Sequence, residues 1–337
     1  MKLFITGATG YVGGEVLFQF LEKFPNFEIT ALVRSIEKGK IIKDATNNKV
    51  QTVIGSLDSL DLIRNETESS DIIINAASNN HLPSLNVIKE VLSKKTKETL
   101  FLQISGAGVV TDGVDPSTYT PNKIYDDVKD IKEITLLPDS QPHRLADKLV
   151  LSIEETNPKF VKTAIISPPI IFGFGKGYDN ILSVQIPILI KSIVKLGSSF
   201  TVYKGDTKWS HGHIYDVGTL FINVISKFIN KEEFNSGVLG YYFTNDGIDY
   251  TFKEIAVRIS NKLFELGLIS SKLNRELTPT EINEKFNFPA LFWGSNARTI
   301  SNNGRKIGWE MTKSDDNSFF EDINLCVDYM NDHGLLK

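Results

Sequence analysis

Cysteine is almost absent. The chain has one, Cys326, among 337 residues. A single thiol cannot close an intrachain disulfide and cannot build a cysteine metal cluster. A basic excess is also missing. Lysine and arginine total 37 against 41 acidic residues, giving a net charge of −4 and a pI near 5.8. Charge therefore recommends neither nucleic acid nor an anionic membrane as a partner. Long hydrophobic runs are lacking too. The greasiest stretches, TAIISPPIIFGFG and VQIPILIKSIV, are interrupted by Pro, Gly, Gln or Lys, and neither can span a bilayer. The opening MKLFITGATG has no charged leader before its apolar strand. It reads as carrying no signal peptide, so a cytoplasmic location is expected. No low-complexity linker or internal repeat is visible.

What is present is ordinary globular material. Hydrophobic residues make up 41%, charged residues 23%, and mean hydropathy is −0.11. The length suits a sizeable core and two lobes. Short β-branched runs alternate with helical stretches in the first half. KLFIT (2–6), EITALVR (28–34), VQTVIG (50–55), DIIINAA (71–77), TLFLQISG (99–106) and VKTAIISP (161–168) read as strands. YVGGEVLFQFLEKF (11–24), SLNVIKEVLSKK (84–95) and HRLADKLVLSIEET (143–156) read as helices. This rhythm predicts an α/β fold: a Rossmann-type doubly wound parallel sheet, its strands covered on both faces. Residues 1–170 are expected to form the nucleotide-binding domain. Residues 171–337 are expected to form a smaller C-terminal α/β lobe that holds substrate, with the segments interleaved. DVGTLFINVISKFINK and TFKEIAVRISNKLFELG give that lobe amphipathic helices. The polar, turn-rich stretch 113–142 is long enough to be functional or mobile.

TGATGYVGG places Gly7, Gly10 and Gly13 between a strand and a helix. In that context Gly7 permits the tight turn, Gly10 lets backbone approach a pyrophosphate, and Gly13 lets helix pack on strand. Thr9, Tyr11 and Val12 belong to the same turn, whose helix end offers free N–H groups to phosphate. Near the end of the second strand, where NAD-binding folds place a carboxylate for the ribose, stand Val33, Arg34 and Ser35. Arg34 can bond a 2′-phosphate, which favours NADP(H). Lys38 could add charge, although a lysine there is more often simply solvated. HGH, with His211 and His213, has no acidic or cysteine partner at ligand spacing, so no metal is expected.

With these residues in place, the chain resembles the short-chain dehydrogenase/reductase superfamily, in its extended and atypical branch. The resemblance rests on TGATGYVGG, INAAS (74–78), ISPPIIFGFG (166–175), HIYDVG (213–218) and KIGW (306–309). YDDVKDI, PHRLADK and WGSNAR also resemble a fungal group of NAD(P)-binding proteins. The resemblance implies that Asn75, Ala76 and Ala77 flank the adenosine and ribose, and that Pro168 and Ile170 lie beside the nicotinamide. It implies a Ser–Tyr–Lys triad in which tyrosine relays a proton and lysine binds the nicotinamide ribose. Lys148 falls on the lysine position. The tyrosine position is Arg144, and the serine position is Gly106, with Ser105 one residue earlier.

Three readings follow. The first is an NADPH-dependent oxidoreductase reducing a small carbonyl compound, with another group donating the proton. His143, Tyr125 and Tyr119 are the candidates, with Ser105 and Lys148 in support. A variant of it uses Arg144 and Lys148 electrostatically, since an arginine cannot give up its proton but can steady an oxyanion. Isoflavone-reductase-like relatives dispense with the tyrosine and rely on a lysine. The second reading is a non-catalytic NADP(H)-sensing regulator, as the nitrogen-repression regulators of fungi suggest. The third is a nucleotide-sugar-type epimerase or dehydratase. Expected partners are a small-molecule substrate and at most a second copy, as monomer or homodimer.

Overall fold

The computed structural model describes residues 1–245, 247–313 and 317–336. Lys337, where the expected second lobe ends, lies outside them. The first half alternates strand and helix through β1 (Lys2–Thr6), α1 (Tyr11–Lys23), β2 (Glu28–Val33), α2 (Ile36–Ala45) and β3 (Val50–Ile54). It continues with α3 (Leu60–Ser69), β4 (Ile72–Asn75), α4 (Leu82–Leu92) and β5 (Thr99–Ile104). Then come β6 (Tyr125–Asp126), α5 (Ile131–Thr135), α6 (Arg144–Thr156), β7 (Val161–Ser167) and β8 (Ile170–Phe172). Next are α7 (Gln185–Leu196), β9 (Ser199–Val202), β10 (Lys208–His213), α8 (Ile214–Ile229), β11 (Tyr241–Phe243) and β12 (Asp249–Thr251). The chain closes with α9 (Phe252–Glu265), β13 (Asn274–Leu277), α10 (Pro279–Phe286), α11 (Leu291–Gly294), β14 (Thr299–Ile300), α12 (Asn302–Lys306) and α13 (Ser318–Asp332).

The central sheet has seven parallel strands in the order β11-β7-β5-β4-β1-β2-β3. This is the expected doubly wound Rossmann sheet. Its inner strands are apolar on both faces because both faces are covered, whereas edge strand β3 is partly exposed. Leu3, Ile5, Ile72, Ile74, Leu100 and Leu102 pack one way, against Val16, Leu17 and Phe20 of α1 and Leu220 and Phe221 of α8. Phe4, Ile73 and Phe101 point the other way, against Ile63 of α3, Leu85 and Ile88 of α4, and Val150 and Ile153 of α6. That second core runs on into the C-terminal lobe. The lobes are interleaved, since β11 and α8 come from beyond residue 170 yet complete the first sheet and its cover. The smaller lobe carries a three-stranded sheet, β12-β10-β8, and the pair β13-β9. Among the described residues no helix is long and apolar enough to cross a membrane.

The stretch 113–142 is not loose. β6 pairs in parallel with β14, setting Tyr125 against Thr299 and Asp126 against Ile300. Asp127 is buried and accepts from the backbone N–H groups of Phe243 at 2.9 Å and Asn303 at 2.8 Å. The stretch is therefore fastened to the second lobe and to the edge of the main sheet.

The sheet order reverses between β1 and β4, and there the glycine turn meets the end of β4. Gly7 has φ +81°, and a Cβ on it would fall 2.5 Å from the Ala76 carbonyl group. Gly7→Ala should therefore lower stability by about 2–4 kcal/mol, the combined cost of a left-handed alanine and a backbone clash. Urea unfolding would measure it; an unchanged midpoint would mean that the turn and β4 are not in this contact.

Candidate cofactor groove and active site

α1 opens at an N-cap with no side chain on it. Gly10 fills that position in extended conformation, no side-chain hydrogen bond caps the helix, and its first turn has no acidic residue. Its first N–H groups are thus left for a ligand, the arrangement that suits a phosphate. Gly13 lies so close to the Gly7 carbonyl that a Cβ there would overlap it. That closeness brings the helix end to the sheet. Asn75 lies beneath. Its side chain accepts from Thr6 Oγ1 at 2.6 Å and donates to Gln103 Oε1 at 2.9 Å, tying β1, β4 and β5 at their carboxyl ends. Asn75 is thus buried floor, whereas Ala76 and Ala77 line the groove.

Three adjoining cavities form one groove over these strand ends. The first, about 560 Å³, is bounded by Gly7, Thr9, Gly10, Arg34, Lys38 and Ser56. It suits the adenosine end. The middle part, about 420 Å³, shares Gly10, Ala76, Ala77 and Asn180 with it and adds Tyr11, Val12 and Asn79. The far end, about 220 Å³, shares Val12, Ile104, Pro169, Ile171 and Gln185 with the middle. Trp209 and Phe292 wall it, and among the described residues His143 is its one ionisable lining side chain. The glycine cradle, the uncapped helix end and the continuous groove fit a dinucleotide. Pro168 lines the far end as expected, but Ile170 does not. Ile170 is buried in the core, and strand alternation hands the groove to Ile171.

The residues expected to do chemistry are distributed otherwise. Lys148 Nζ ion-pairs with Asp139 at 2.7 Å on the exposed side of α6 and does not line the groove. Arg144 is buried, yet it points at the 113–142 stretch. Its guanidinium donates to the carbonyls of Leu137, at 2.9 Å, and Thr135. Tyr119 donates to the Gly294 carbonyl at 2.6 Å, and burial pushes its hydroxyl up to about 12. Tyr125 sits in β6 with Lys123 4.5 Å over its ring. Arg144 and both tyrosines hold the long stretch in place, and Lys148 braces its end.

The face of α6 that meets the groove carries His143 and Asp147 instead, four residues apart. His143 is the helix N-cap in left-handed conformation, φ +66°, a strained backbone of the kind that gathers at functional sites. Its ring lies over two glycines. A Cβ on Gly106 would stand 3.1 Å from Nε2, and one on Gly108 3.4 Å. Nδ1 lies 3.3 Å from Asn80 Oδ1, and Nε2 lies 3.5 Å from Asn79 Nδ2. An amide oxygen only accepts and an amide nitrogen only donates. These partners assign the proton to Nδ1 and make the Nε2 lone pair the acceptor of the long contact from Asn79, above the glycines. Burial lowers the His143 pKa to about 4, so the ring is neutral near pH 7.

Behind it, Asp147 is fully buried. Its Oδ2 accepts from Ser105 Oγ at 2.9 Å and from the Tyr241 hydroxyl at 2.8 Å, while Oδ1 has no partner among the described residues. Burial raises its pKa to about 7, against the lowering by Tyr241, Ser105 and Arg144. Ser105 therefore lines the far end while its hydroxyl is committed inward. The signal in the sequence was the four-residue spacing of His143 and Asp147, one residue out of step with Arg144 and Lys148.

The family model described as "Semialdehyde dehydrogenase, NAD binding domain" matches residues 2–97. A protein named Oxidase ucsJ from Acremonium sp. is 28% identical over 323 residues, covering 92% of each chain. An uncharacterised protein of Schizosaccharomyces pombe is 24% identical over 93% of this chain and 96% of its own. Among solved structures, dTDP-glucose 4,6-dehydratase from Streptomyces venezuelae, with NAD bound, covers 100% of both chains at 13% identity and TM-score 0.70. UDP-glucose 4-epimerase from Thermotoga maritima covers 99% of both chains at 12% identity and TM-score 0.67. The chain has the fold of the epimerase/dehydratase-like group of the short-chain dehydrogenase/reductase superfamily, as the sequence resemblance implied.

Two outcomes test the placement. Arg144→Ala should cost about 1–3 kcal/mol of stability, because two half-buried carbonyls lose a charged donor. Lys148→Ala should cost about 0–1 kcal/mol, since its ion pair is exposed, and it should leave cofactor affinity unchanged by fluorescence titration. A large loss of cofactor binding in Lys148→Ala would restore the family role to that lysine.

Asp147 gives a pH dependence. Its folded pKa is raised, so the folded state keeps a proton that an unfolded aspartate releases near pH ~4. The stability it contributes is complete below about pH 4 and declines as pH rises to about 7. The unfolding free energy of wild type relative to Asp147→Asn should fall across that window; a flat difference would mean that Asp147 is ionised throughout.

Proposed function

We propose that this chain is an NADP(H)-dependent oxidoreductase that interconverts a small, uncharged, largely apolar carbonyl compound and its alcohol, with His143 handling the proton. The observation that carries the reading is His143 itself: a neutral imidazole lying over Gly106 at the far end of a groove that fits a dinucleotide. Gly106 stands where the resemblance puts a serine, and Arg144, which stands at the tyrosine position, points away from the groove. One histidine thus takes the space of both missing groups.

The adenosine end offers Arg34 and Lys38, and Arg34 supports a phosphorylated cofactor. Ile171 and Pro168 would face a nicotinamide at this end, which when bound would supply or accept hydride. His143 Nε2, whose lone pair is held only by the long 3.5 Å contact from Asn79 Nδ2, would exchange that contact for a substrate hydroxyl, take its proton during oxidation and return it in the opposite direction. Asn80 fixes the tautomer. Asp147 and Tyr241 hold Ser105, and with it the floor beneath the ring. Trp209 and Phe292 wall the site with apolar rings.

The size and chemistry of the far end argue for the substrate class. It measures about 220 Å³, and no carboxylate, lysine or arginine lines it. A nucleotide diphosphate sugar needs cations and more room, so the epimerase or dehydratase reading has less support than a small neutral substrate. The likeness to a protein named an oxidase agrees with redox chemistry.

The test is transfer of label from NADPH deuterated at its transferable position to a panel of small ketones and aldehydes and to a metabolite extract, read by mass spectrometry. Deuterated alcohol should form. His143→Gln should lower the rate by on the order of 10²-fold or more with cofactor affinity kept. No label anywhere, with tight cofactor binding, would overturn the reading and favour a sensor. Full turnover in His143→Gln would remove His143 from the mechanism.

A further inference from the structure

The segment 173–184 leaves β8 and crosses the amino end of α1, and the glycine turn holds it closely. The Tyr11 hydroxyl donates to the Gly173 carbonyl at 2.5 Å. The Lys176 N–H donates to Glu15 Oε2 at 2.7 Å, and the Asn180 N–H donates to the Thr9 carbonyl at 3.3 Å. Gly177 packs on Gly14 so tightly that a Cβ would fall 2.8 Å from its Cα. These ties carry Asp179 from the second lobe into the adenosine end. There it lines the same cavity as Arg34, Lys38 and Ser56, and its Oδ2 pairs with Lys38 Nζ at 2.5 Å.

Superfamily folds that bind the unphosphorylated dinucleotide take their carboxylate from the end of the second strand. This chain has Arg34 there and brings a carboxylate to the same cavity from a different element. Arg34 has no ion-pair partner among the described residues, whereas Lys38 is neutralised. We propose that Asp179 is a cofactor-discriminating residue: it occupies Lys38 and sets a negative charge against a 2′-phosphate, so that affinity for NADPH is held below what Arg34 and Lys38 together would give. The inference rests on the reading that Arg34 faces that phosphate. The physical argument is direct. A phosphate dianion entering the cavity must either take Lys38 from Asp179 or sit beside an uncompensated carboxylate. Lys38 is 42% exposed and Asp179 19%, so the pair is weak enough to be contested. A cofactor without that phosphate meets neither cost.

The experiment compares wild type, Asp179→Asn and Arg34→Ala by titration with NADPH and with NADH. Asp179→Asn should tighten NADPH by about three- to tenfold and leave NADH within about twofold. Unchanged NADPH binding, or an equal change for both cofactors, would overturn the inference and make the pair a structural tie only. Arg34→Ala separates the two failures. If it weakens NADPH far more than NADH, the phosphate reading stands and any failure belongs to Asp179 alone. If it weakens both equally, the phosphate reading falls and this inference falls with it.

Discussion

The packing of Gly7 and Gly13 against the end of β4 sets everything else in this molecule. At that point backbone meets backbone, with no side chain between Gly7 and Ala76 or between Gly13 and the Gly7 carbonyl. The contact seats the amino end of α1 over the sheet where strand order reverses, and the groove follows from it. Its middle is the uncapped helix end. Its two ends are what the neighbouring strands supply: Arg34 beyond β2, and Ser105, Gly106 and Pro168 beyond β5 and β7. The strap from 173 to 184 uses the same turn as its anchor, through Tyr11, Thr9 and Gly14. One close approach thus positions the phosphate site, the reacting end and the segment linking the lobes.

The far end shows how substitutions in a site depend on one another. Gly106 leaves a gap that a serine would fill, and the imidazole of His143 lies in it. A serine at 106 would crowd the ring, just as a helix begun one residue later would turn the ring away. The left-handed backbone of His143 is strained, and the α6 packing that imposes it is extensive: Arg144 holds Thr135 and Leu137, while Asp147 holds Ser105 and Tyr241. Arg144 and Lys148 fix the 113–142 stretch against the helix. That stretch, polar and turn-rich, is held by buried Asp127 and a two-residue strand pair.

Much of the architecture was legible. The runs at 2–6, 28–34, 50–55, 71–77, 99–106 and 161–168 all became strands, because a residue run apolar on both faces has few other homes. The glycine spacing with its flanking strand and helix announced the tight turn over the sheet, and Arg34, singled out in the sequence, lines one end of the groove. The lobe boundary was less legible. β11 is three residues long and pairs with β7 across a sequence gap that no local pattern records. The placements of His143, Asp147 and Asp179 were also obscured, for each has a neighbour distant in sequence: Gly106, Ser105 and Lys38.

The sequence by itself determined the sheet, its two covered faces and the glycine turn, since these follow from apolar periodicity and from the conformations that glycine alone tolerates. Only the tertiary structure decided which side of α6 faces the groove. Successive helix residues are turned by about 100°, so His143 and Arg144 share a neighbourhood in sequence but not a direction. Counting back from Lys148 chose Arg144. The packing of Asp147 on Ser105 and Tyr241 chose His143, because rotation of a helix about its axis is set by what its buried face must meet.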